Sequence, residues 1–457
     1  MTCTQTEMIF QELHGPLTAE RAAIEARRCL ECGGPYAPAP CTVACPTHIN
    51  IPKFIKEIRL GNRQASAGTI FEANSLGGSC ARVCPVEVLC QGSCVLNKEG
   101  RRPVAIGQLQ RYATDWAFEK GQNALPVKEL DGQGKSVGVI GAGPASLSCA
   151  AELARLGHDV TVYEARKEFG GLITHAIAPY KLLNEPLPQE VEQIRQLGVK
   201  FETGVRVGTE LSIEQLEAKH GAIFLGVGLG EDFDLKIDGA KLPGVWRSLD
   251  FIERLKTGRW DGLKVGVRVA VVGGGNTAID AAREVVRLGA KDVVVLYRRT
   301  RKEMPAYAHE VRQAEAEGVR FWWLAAPLRF IDDGHLKGIE CVHMKLGAPD
   351  ESGRPRAEPV PGTEFTLDID TVILAIGQRP RSEFLQSIEG LELEHGLVKI
   401  NEHYQTTNER YFAGGDCING GGTAVEAVQH GKLAAQGIHE YLISKVATPA
   451  RKRRERR

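Results

Sequence analysis

From Lys135 onward the apolar positions of the chain keep changing period. Val137, Val139 and Ile140 form a short run that reads as a buried parallel strand, Gly141-Ala142-Gly143-Pro144-Ala145-Ser146 opens a helix, and Asp159 to Tyr163 turns apolar again as a second strand. The same strand, turn and helix recur in RVAVVGGGNTAIDAAREVVRLG from Arg268, with Val293 to Leu296 as the following strand. Two further apolar runs, Ala222 to Gly230 and Thr371 to Pro380, read as buried strands that end at glycine turns. The stretch before about residue 125 is different. It has few strand-like runs, and amphipathic helical patterns such as Ile51 to Leu60 and Ala105 to Phe118 separate or follow groups of cysteines. A charged, polar linker from Lys120 to Gly134 joins the two parts, and the polar, proline-rich stretch from Gly347 to Thr363 reads as an exposed hairpin.

The two glycine turns carry the first chemistry. In a β-α-β unit such glycines let the backbone turn sharply and approach a pyrophosphate, whose charge the helix N-terminus stabilises. Glu164 closes the second strand about 20 residues on, where a carboxylate accepts hydrogen bonds from an adenosine ribose. An ordinary tight turn would use the same glycines, but strand, helix and acid together point to a dinucleotide site. The third glycine position is Ser146, still small enough for close packing of helix and strand. In the second unit Gly273, Gly275 and Ala278 repeat the fingerprint, and Asn276 and Thr277 open the helix. Its second strand ends in Arg298 and Arg299, with Arg301 and Lys302 close behind, where an NAD site would offer a carboxylate. Guanidinium groups suit a ribose 2′-phosphate, so NADPH is expected there over NADH; a basic loop facing water is the plainer alternative. The following EMPA, Glu303 to Ala306, has no evident physical role in the sequence.

Composition narrows the picture. A chain of 457 residues should hold two or three domains, and 43% hydrophobic residues suffice for their cores. Its 57 basic and 57 acidic residues cancel, so no broad nucleic-acid footprint is implied. No apolar run is long enough to span a bilayer and MTCTQTEMIFQELHG lacks the layout of a secretion signal, so a cytoplasmic protein is expected. Nine of the 12 cysteines stand before residue 100, which in a reducing compartment argues for metal or redox chemistry. CLECGGPYAPAPCTVACP holds Cys29, Cys32, Cys41 and Cys45; CARVCPVEVLCQGSC holds Cys80, Cys84, Cys90 and Cys94. Cys45 and Cys84 each precede a proline, as does the last cysteine of the bacterial ferredoxin run, which ligates the other cluster. Two [4Fe-4S] clusters that exchange ligands between the groups are therefore expected, with structural zinc as the alternative. Cys3, Cys149, Cys341 and Cys417 are isolated in sequence and read as single buried or surface residues.

The segment CARVCPVEVLCQGSCVLNKEGRRPVAIGQLQRYATDWA resembles the N-terminal iron-sulfur domain of the dihydropyrimidine dehydrogenase family, including its separate NAD(P)H-oxidising bacterial subunit. It is more distantly similar to the small subunit of glutamate synthase. The resemblance implies one cluster on Cys29, Cys32, Cys41 and Cys94 and another on Cys45, Cys84, Cys90 and Gln110, with Cys80 a bystander. Spacing alone does not single out Gln110, which reads equally as a helix-surface amide. The insert GGPYAPAP between Cys32 and Cys41 departs from the family. Gly170-Gly171-Leu172 is a flexible backbone able to lie close to a flavin, and by the resemblance Lys181 contacts the FAD, a solvated surface lysine being the alternative. In two-dinucleotide flavoproteins the aspartate of a motif like FAGGDCINGGGTAVEA, here Asp416 after Gly415, hydrogen-bonds the flavin's ribityl and phosphate region. The helix from Thr423-Ala424-Val425 then points its positive end at the ring.

The implied architecture is α/β: two doubly wound, glutathione-reductase-like dinucleotide domains behind an α-helical iron-sulfur domain. The expected boundaries are 1–125 for the helical domain, 133–255 with 369–449 for FAD, 256–368 for NADPH, and a basic tail from 450, in which Arg451 to Arg457 read as a solvated end. A flavin accepts a hydride and releases electrons singly, so the expected path runs from NADPH through FAD to the clusters. Hydride transfer by stacking needs no protein acid or base, so no catalytic residue is expected. Disulfide reductases of similar fold need a redox cysteine pair beside the flavin, and none occurs after Gly134. The chain therefore reads as an electron-entry subunit of a hetero-oligomer, with neither nucleic acid nor membrane as partner. Its catalytic partner is expected to be a dihydropyrimidine dehydrogenase-type FMN subunit. A glutamate synthase large subunit is the alternative, favoured by Arg298-Arg299 and EMPA, and a ferredoxin-linked transhydrogenase the second alternative. A zinc-stabilised binding scaffold is the non-enzymatic reading.

Overall fold

The computed structural model describes residues 5–34, 36–121, 123–125, 134–350 and 353–444. Cys3, most of the expected linker and the basic tail lie outside them. The chain divides into two compact units. The first unit comprises His14–Thr174, Asn184–Leu229 and Pro380–Arg457; the second comprises Met1–Leu13, His175–Leu183 and Gly230–Arg379. Among the described residues no helix is long and apolar enough to cross a membrane.

The first unit begins with helices α1 (Ala19–Ala26), α2 (Ile51–Arg59), α3 (Arg63–Ala73), α4 (Gly77–Val83) and α5 (Ile106–Glu119). Three start on side-chain caps: Thr18, Asn50 and Asn62 accept from the backbone N–H of Arg21, Lys53 and Ala65. Each such cap satisfies an N–H that the helix cannot, typically adding about 1 kcal/mol. Phe54, Ile55 and Ile58 on α2 pack with Ile70 and Leu109 into a small apolar core that Cys29, Cys41, Cys90 and Cys94 border. Cys84 ends α4 in an extended conformation, as the residue before Pro85 must.

The same unit continues with a parallel sheet. Strand β1 (Ser136–Ile140) leads to α6 (Pro144–Arg155) and β2 (Asp159–Glu164); α7 (Leu187–Gln196) precedes β3 (Lys200–Thr203), and β4 (Ala222–Leu225) lies on the other side of β1. The second unit repeats this layout. It runs β5 (Val245–Arg247), α8 (Ser248–Thr257), β6 (Arg268–Val272), α9 (Asn276–Arg287), β7 (Asp292–Tyr297), α10 (Ala308–Ala316) and β8 (Arg320–Trp323). An antiparallel sheet follows, β9 (Ala325–Asp332), β10 (Leu336–Pro349) and β11 (Pro355–Asp368), and then β12 (Thr371–Leu374). The chain returns to the first sheet with β13 (Tyr411–Ala413) and the long α11 (Ala424–Ser444). The sheet orders are β13-β4-β1-β2-β3 and β5-β12-β6-β7-β8, both wholly parallel.

Both faces of the second sheet are covered, which explains its unbroken apolar strands. Val269, Val271, Val293 and Val295 pack with α8 and α9, while Ala270, Val272, Val294 and Leu296 pack against Phe330, Leu336 and Ile339 of the antiparallel sheet. The expected hairpin is present as β10 and β11 and is longer than the stretch Gly347 to Thr363.

The expected domain boundaries at 255/256 and 368/369 are corrected. β12 hydrogen-bonds β6 and β5 in the second sheet, so Thr371–Leu374 does not resume the first. The inserted unit runs from Gly230 to Arg379.

Candidate functional site

In the first unit, Gly141 leaves β1 with φ +91°, and a Cβ there would stand 2.6 Å from the Gly226 carbonyl oxygen. Gly143 caps α6 in extended conformation, Pro144 follows at its first position, and a Cβ on Gly143 would meet nothing within 4 Å. The turn therefore opens on free space in front of unpaired helix N–H groups, the cradle a pyrophosphate requires. Ala145 and Ser146 are buried, with the Ser146 hydroxyl against Gly226. Glu164 faces back to the turn: its carboxylate accepts from the N–H of Ala142 and of Arg166, each at 2.8 Å. Each oxygen keeps a lone pair for a ribose hydroxyl. The backbone of Gly171 and Leu172 lies against the turn, a Cβ on Gly171 falling 3.0 Å from the Gly143 Cα.

The far part of the chain closes this cradle. Gly415, at φ +79°, approaches Ala145, and Gly431 of α11 lies so close that a Cβ would be 2.0 Å from the Ala145 carbonyl oxygen. Burial raises the Asp416 carboxyl, which accepts from the Gly422 N–H at 3.1 Å. Thr423 and Glu426 cap α11 reciprocally, so the first-turn N–H groups at Ala424 and Val425 have no intrahelical acceptor.

The second turn matches the first. Gly273 has φ +147° and its Cβ would stand 2.1 Å from the Ala375 carbonyl oxygen, while a Cβ on Gly275 would meet nothing within 4 Å. EMPA now has a physical account. The Ala306 N–H donates to the Gly274 carbonyl at 3.1 Å and the Tyr307 N–H to the Asn276 side chain at 2.9 Å, so this segment braces the turn beside Thr277. Glu303 is held by Thr300, and its carbonyl accepts from the Tyr297 hydroxyl at 2.8 Å.

The contacts of two expected site residues differ from a ligand-facing role. Arg299 is buried, and its guanidinium donates to the Pro355 carbonyl at 2.7 Å and to Asp350 at 2.8 Å, fastening the β10-β11 hairpin. Arg298 is exposed, as is Lys302, whereas Arg301 is paired with Glu315. Lys181 belongs to the second unit, where its ammonium lies 2.7 Å from Asp280 and 2.8 Å from Glu310. Those two carboxylates hold its charge. Its neighbour Tyr180 donates to Asp280 at 2.6 Å beneath the guanidiniums of Arg283 and Arg287.

The cysteines gather in two sets. Cys29, Cys32, Cys41 and Cys94 line one cavity, with Ile55 and Ile106 among its apolar walls. Burial, and then Cys29, push the Cys41 thiol up to about 12. Such crowded thiols ionise readily only when a cation compensates them. Cys90 is likewise pushed up to about 12 by burial and then by Cys45. Cys84 is raised by a hydrogen bond with Cys80, by burial, and by Cys90 and Cys45. Cys80, expected as a bystander, is buried beside the second set. Gln110 is buried too, its amide nitrogen donating to the Gly77 carbonyl at 2.7 Å. Among the described residues no three such side chains close on a single point as one ion requires. Four thiols lining one cavity are the donor set that an iron-sulfur centre, or a structural zinc, would use.

Residues 135–431 match the profile of the family described as pyridine nucleotide-disulphide oxidoreductase. The chain belongs to this family. Residues 5–122 match the domain described as dihydropyrimidine dehydrogenase domain II, 4Fe-4S cluster. A glutamate synthase [NADPH] small chain from Halomonas elongata is 38% identical over 446 residues, covering 95% of this chain and 93% of that one. The NADP(+)-dependent formate dehydrogenase subunit beta of Moorella thermoacetica is 38% identical over 446 residues, 91% of this chain and 61% of its own. In structure, Mycobacterium tuberculosis FprA in complex with NADPH superposes with a TM-score of 0.57 at 18% identity, over 68% of this chain and 86% of that one, a likeness of fold. This pyridine nucleotide-disulphide oxidoreductase is an NADPH-dependent electron-transfer flavoprotein with an FAD-binding fold and a 4Fe-4S domain ahead of it.

Proposed function

We propose that the chain is the electron-entry subunit of an NADPH-dependent glutamate synthase or a closely similar assembly. NADPH is held at the Gly273-Gly275 turn and FAD at the Gly141-Gly143 turn. Two [4Fe-4S] clusters are held by Cys29, Cys32, Cys41 and Cys94 and by Cys45, Cys84, Cys90 and Gln110. The flavin supplies the exchange between a hydride and single electrons. The chain's own residues bind and orient: Glu164 takes the adenosine ribose of FAD, Asp416 and the first turn of α11 hold the flavin side, and Arg298 with Lys302 meet the 2′-phosphate of NADPH.

The observation that carries this reading is the four-thiol cavity in the same unit as the first nucleotide turn, where α11 reaches the helical region through Lys432, whose ammonium donates to the Ala73 carbonyl at 3.3 Å. The length shared with the Halomonas elongata small chain favours a glutamate synthase large subunit over a pyrimidine-reducing FMN subunit as partner. The match of residues 5–122 supports the latter as a second reading.

Anaerobically purified protein should contain one FAD and about eight iron atoms with matching acid-labile sulfide, two clusters' worth. NADPH should bleach the flavin absorbance, and added glutamate synthase large subunit should restore NADPH-, glutamine- and 2-oxoglutarate-dependent glutamate formation. Four iron atoms would remove the second cluster. A protein that reduces one-electron dyes but never supports glutamate formation would remove that partner.

A further inference from the structure

Glu190, on α7, is fully buried and has no part in the sites above. Its carboxylate leaves its own helix and grips α4. One oxygen accepts from the backbone N–H of Gly78 at 2.7 Å and of Ser79 at 3.1 Å, and the other accepts from the Ser79 hydroxyl at 2.5 Å. Glycine at 78 permits this approach, since a Cβ there would stand 2.9 Å from Pro186 and 3.2 Å from the carboxylate. The same turn is held from two other sides, by Gln110 at the Gly77 carbonyl and by Arg82 at the Gly78 carbonyl, 2.7 and 3.0 Å. α4 then carries Cys80 and ends at Cys84, whose N–H donates to the Cys80 carbonyl at 3.1 Å. From Ser79 to Cys84 a helix rises by roughly 7.5 Å, at about 1.5 Å per residue.

Fastening a helix does not require a buried acid, and burying a charge without a matched cation is costly. Burial pushes the carboxyl up and the Ser79 hydroxyl, the Ser79 and Gly78 N–H groups and Arg82 pull it down, leaving it at about 7. Arg82 is paired with Asp115 of α5 at 2.7 Å. On α6, Glu152 and Arg155 are paired with each other at 2.8 Å, as are Glu192 and Arg195 on α7 itself. The remaining titratable groups on α4 are the thiols of Cys80 and Cys84. Negative charge added beside α4 in a medium of low dielectric would therefore raise the affinity of the Glu190 carboxylate for a proton.

We propose that Glu190 takes up one proton when the centre held by Cys45, Cys84 and Cys90 takes up one electron. The inference rests on the cluster assignment above. In balance, one electron arrives from NADPH by way of the flavin, one proton arrives from water, and a carboxylate oxygen gains an O–H bond. Both leave when the electron is passed on. Linkage requires the converse as well: the proton raises the affinity for the electron. Glu190 is a positioning residue in this scheme, acting through α4.

The test is a redox titration of the anaerobic full chain, followed by electron paramagnetic resonance over a series of pH values. One of two signals should show a midpoint that falls as pH rises through the region of 7, by up to about 59 mV for each tenfold change in proton activity. The other should not move. Glu190→Gln should abolish the slope while leaving both signals. Ser79→Ala, which removes one donor to the carboxylate, should keep the slope and move it to higher pH, and it decides the matter if Glu190→Gln does not fold. Flat midpoints in the unaltered protein, a slope surviving Glu190→Gln, or a pH window unmoved in Ser79→Ala would each overturn the proposal. Absence of any cluster signal would defeat the cluster assignment itself, so the two failures are distinguishable.

Discussion

The two nucleotide turns share one backbone and differ in what stands at the end of the second strand. Gly141 and Gly273 both have positive φ and both lie where a Cβ would meet the carbonyl oxygen at a neighbouring strand's end, and Gly143 and Gly275 both face open space. The strand-end residues diverge. Glu164 bends back and hydrogen-bonds its own turn, whereas Arg298 stays exposed and Arg299 is committed to the hairpin. The shared part is imposed by sterics and serves any dinucleotide. On the proposed assignment, selection between FAD and NADPH is left to the few side chains at the strand end.

The largest effects should come from breaking the shared part. Gly141→Ala and Gly273→Ala should each destabilise their unit by roughly 1–3 kcal/mol of backbone strain, since a Cβ would meet a carbonyl oxygen at 2.6 and 2.1 Å. Gly143→Ala and Gly275→Ala should leave melting temperatures nearly unchanged and strike binding instead. The first should lower FAD content and the second raise the KM for NADPH about tenfold or more, an effect of about 1.4 kcal/mol. Normal FAD content in Gly143→Ala would mean that the open space is not where the pyrophosphate lies.

The next effect sharpens the difference. Arg298→Ala should raise the KM for NADPH about tenfold, the loss of one charge-assisted hydrogen bond, and leave NADH use nearly unchanged. Arg299→Ala should instead lower thermal stability and impair both nucleotides alike. If Arg298→Ala harmed NADH as much as NADPH, the 2′-phosphate assignment would be lost.

The smallest effect is in acid. His220 in the first unit is hydrogen-bonded by the Ser136 hydroxyl of β1 and the Tyr163 hydroxyl of β2, and burial lowers its pKa to about 4. An unfolded histidine titrates near 6.5, so the unfolded chain binds the extra proton first. Stability from this group is complete above about 6.5 and is lost as pH falls toward 4. In the second unit Arg283 and Arg287 outweigh the burial of Glu317 and hold it at about 2. That contribution is complete above about 4.3, the unfolded carboxyl value, and is lost only as pH falls toward 2. Between pH 6 and 5, hydrogen exchange should therefore quicken in β1 and β2 before β6 and β7, and His220→Gln should remove that order.

Both turns, the parallel sheets and the helical cysteine region were legible in the sequence, because glycine spacing, strand period and thiol clustering are local; the grouping of Cys94 with Cys29, Cys32 and Cys41 came from the resemblance and not from spacing. Sheet membership was not. Thr371–Leu374 announces a buried strand, but a run of four residues does not say which of two parallel sheets it joins. Arg298 and Arg299 are adjacent at a strand end, where successive side chains point to opposite faces, so one was bound to turn inward. With both faces of β7 buried, the apolar pattern could not tell which. Lys181 followed a resemblance and found carboxylates on α9 and α10 that nothing in its own stretch foretells. Glu190 gave no sign at all, since its partners lie more than a hundred residues away.

The near-contact of Gly431 with Ala145 has a consequence for biogenesis. The flavin pocket is finished by a segment translated almost three hundred residues after its opening turn, so a nascent chain can form β1 and α6 early yet has no complete seat for the cofactor until α11 has emerged. Loading is thereby expected to wait for the end of synthesis, and a chain truncated before Ala424 should purify without the yellow colour of bound flavin.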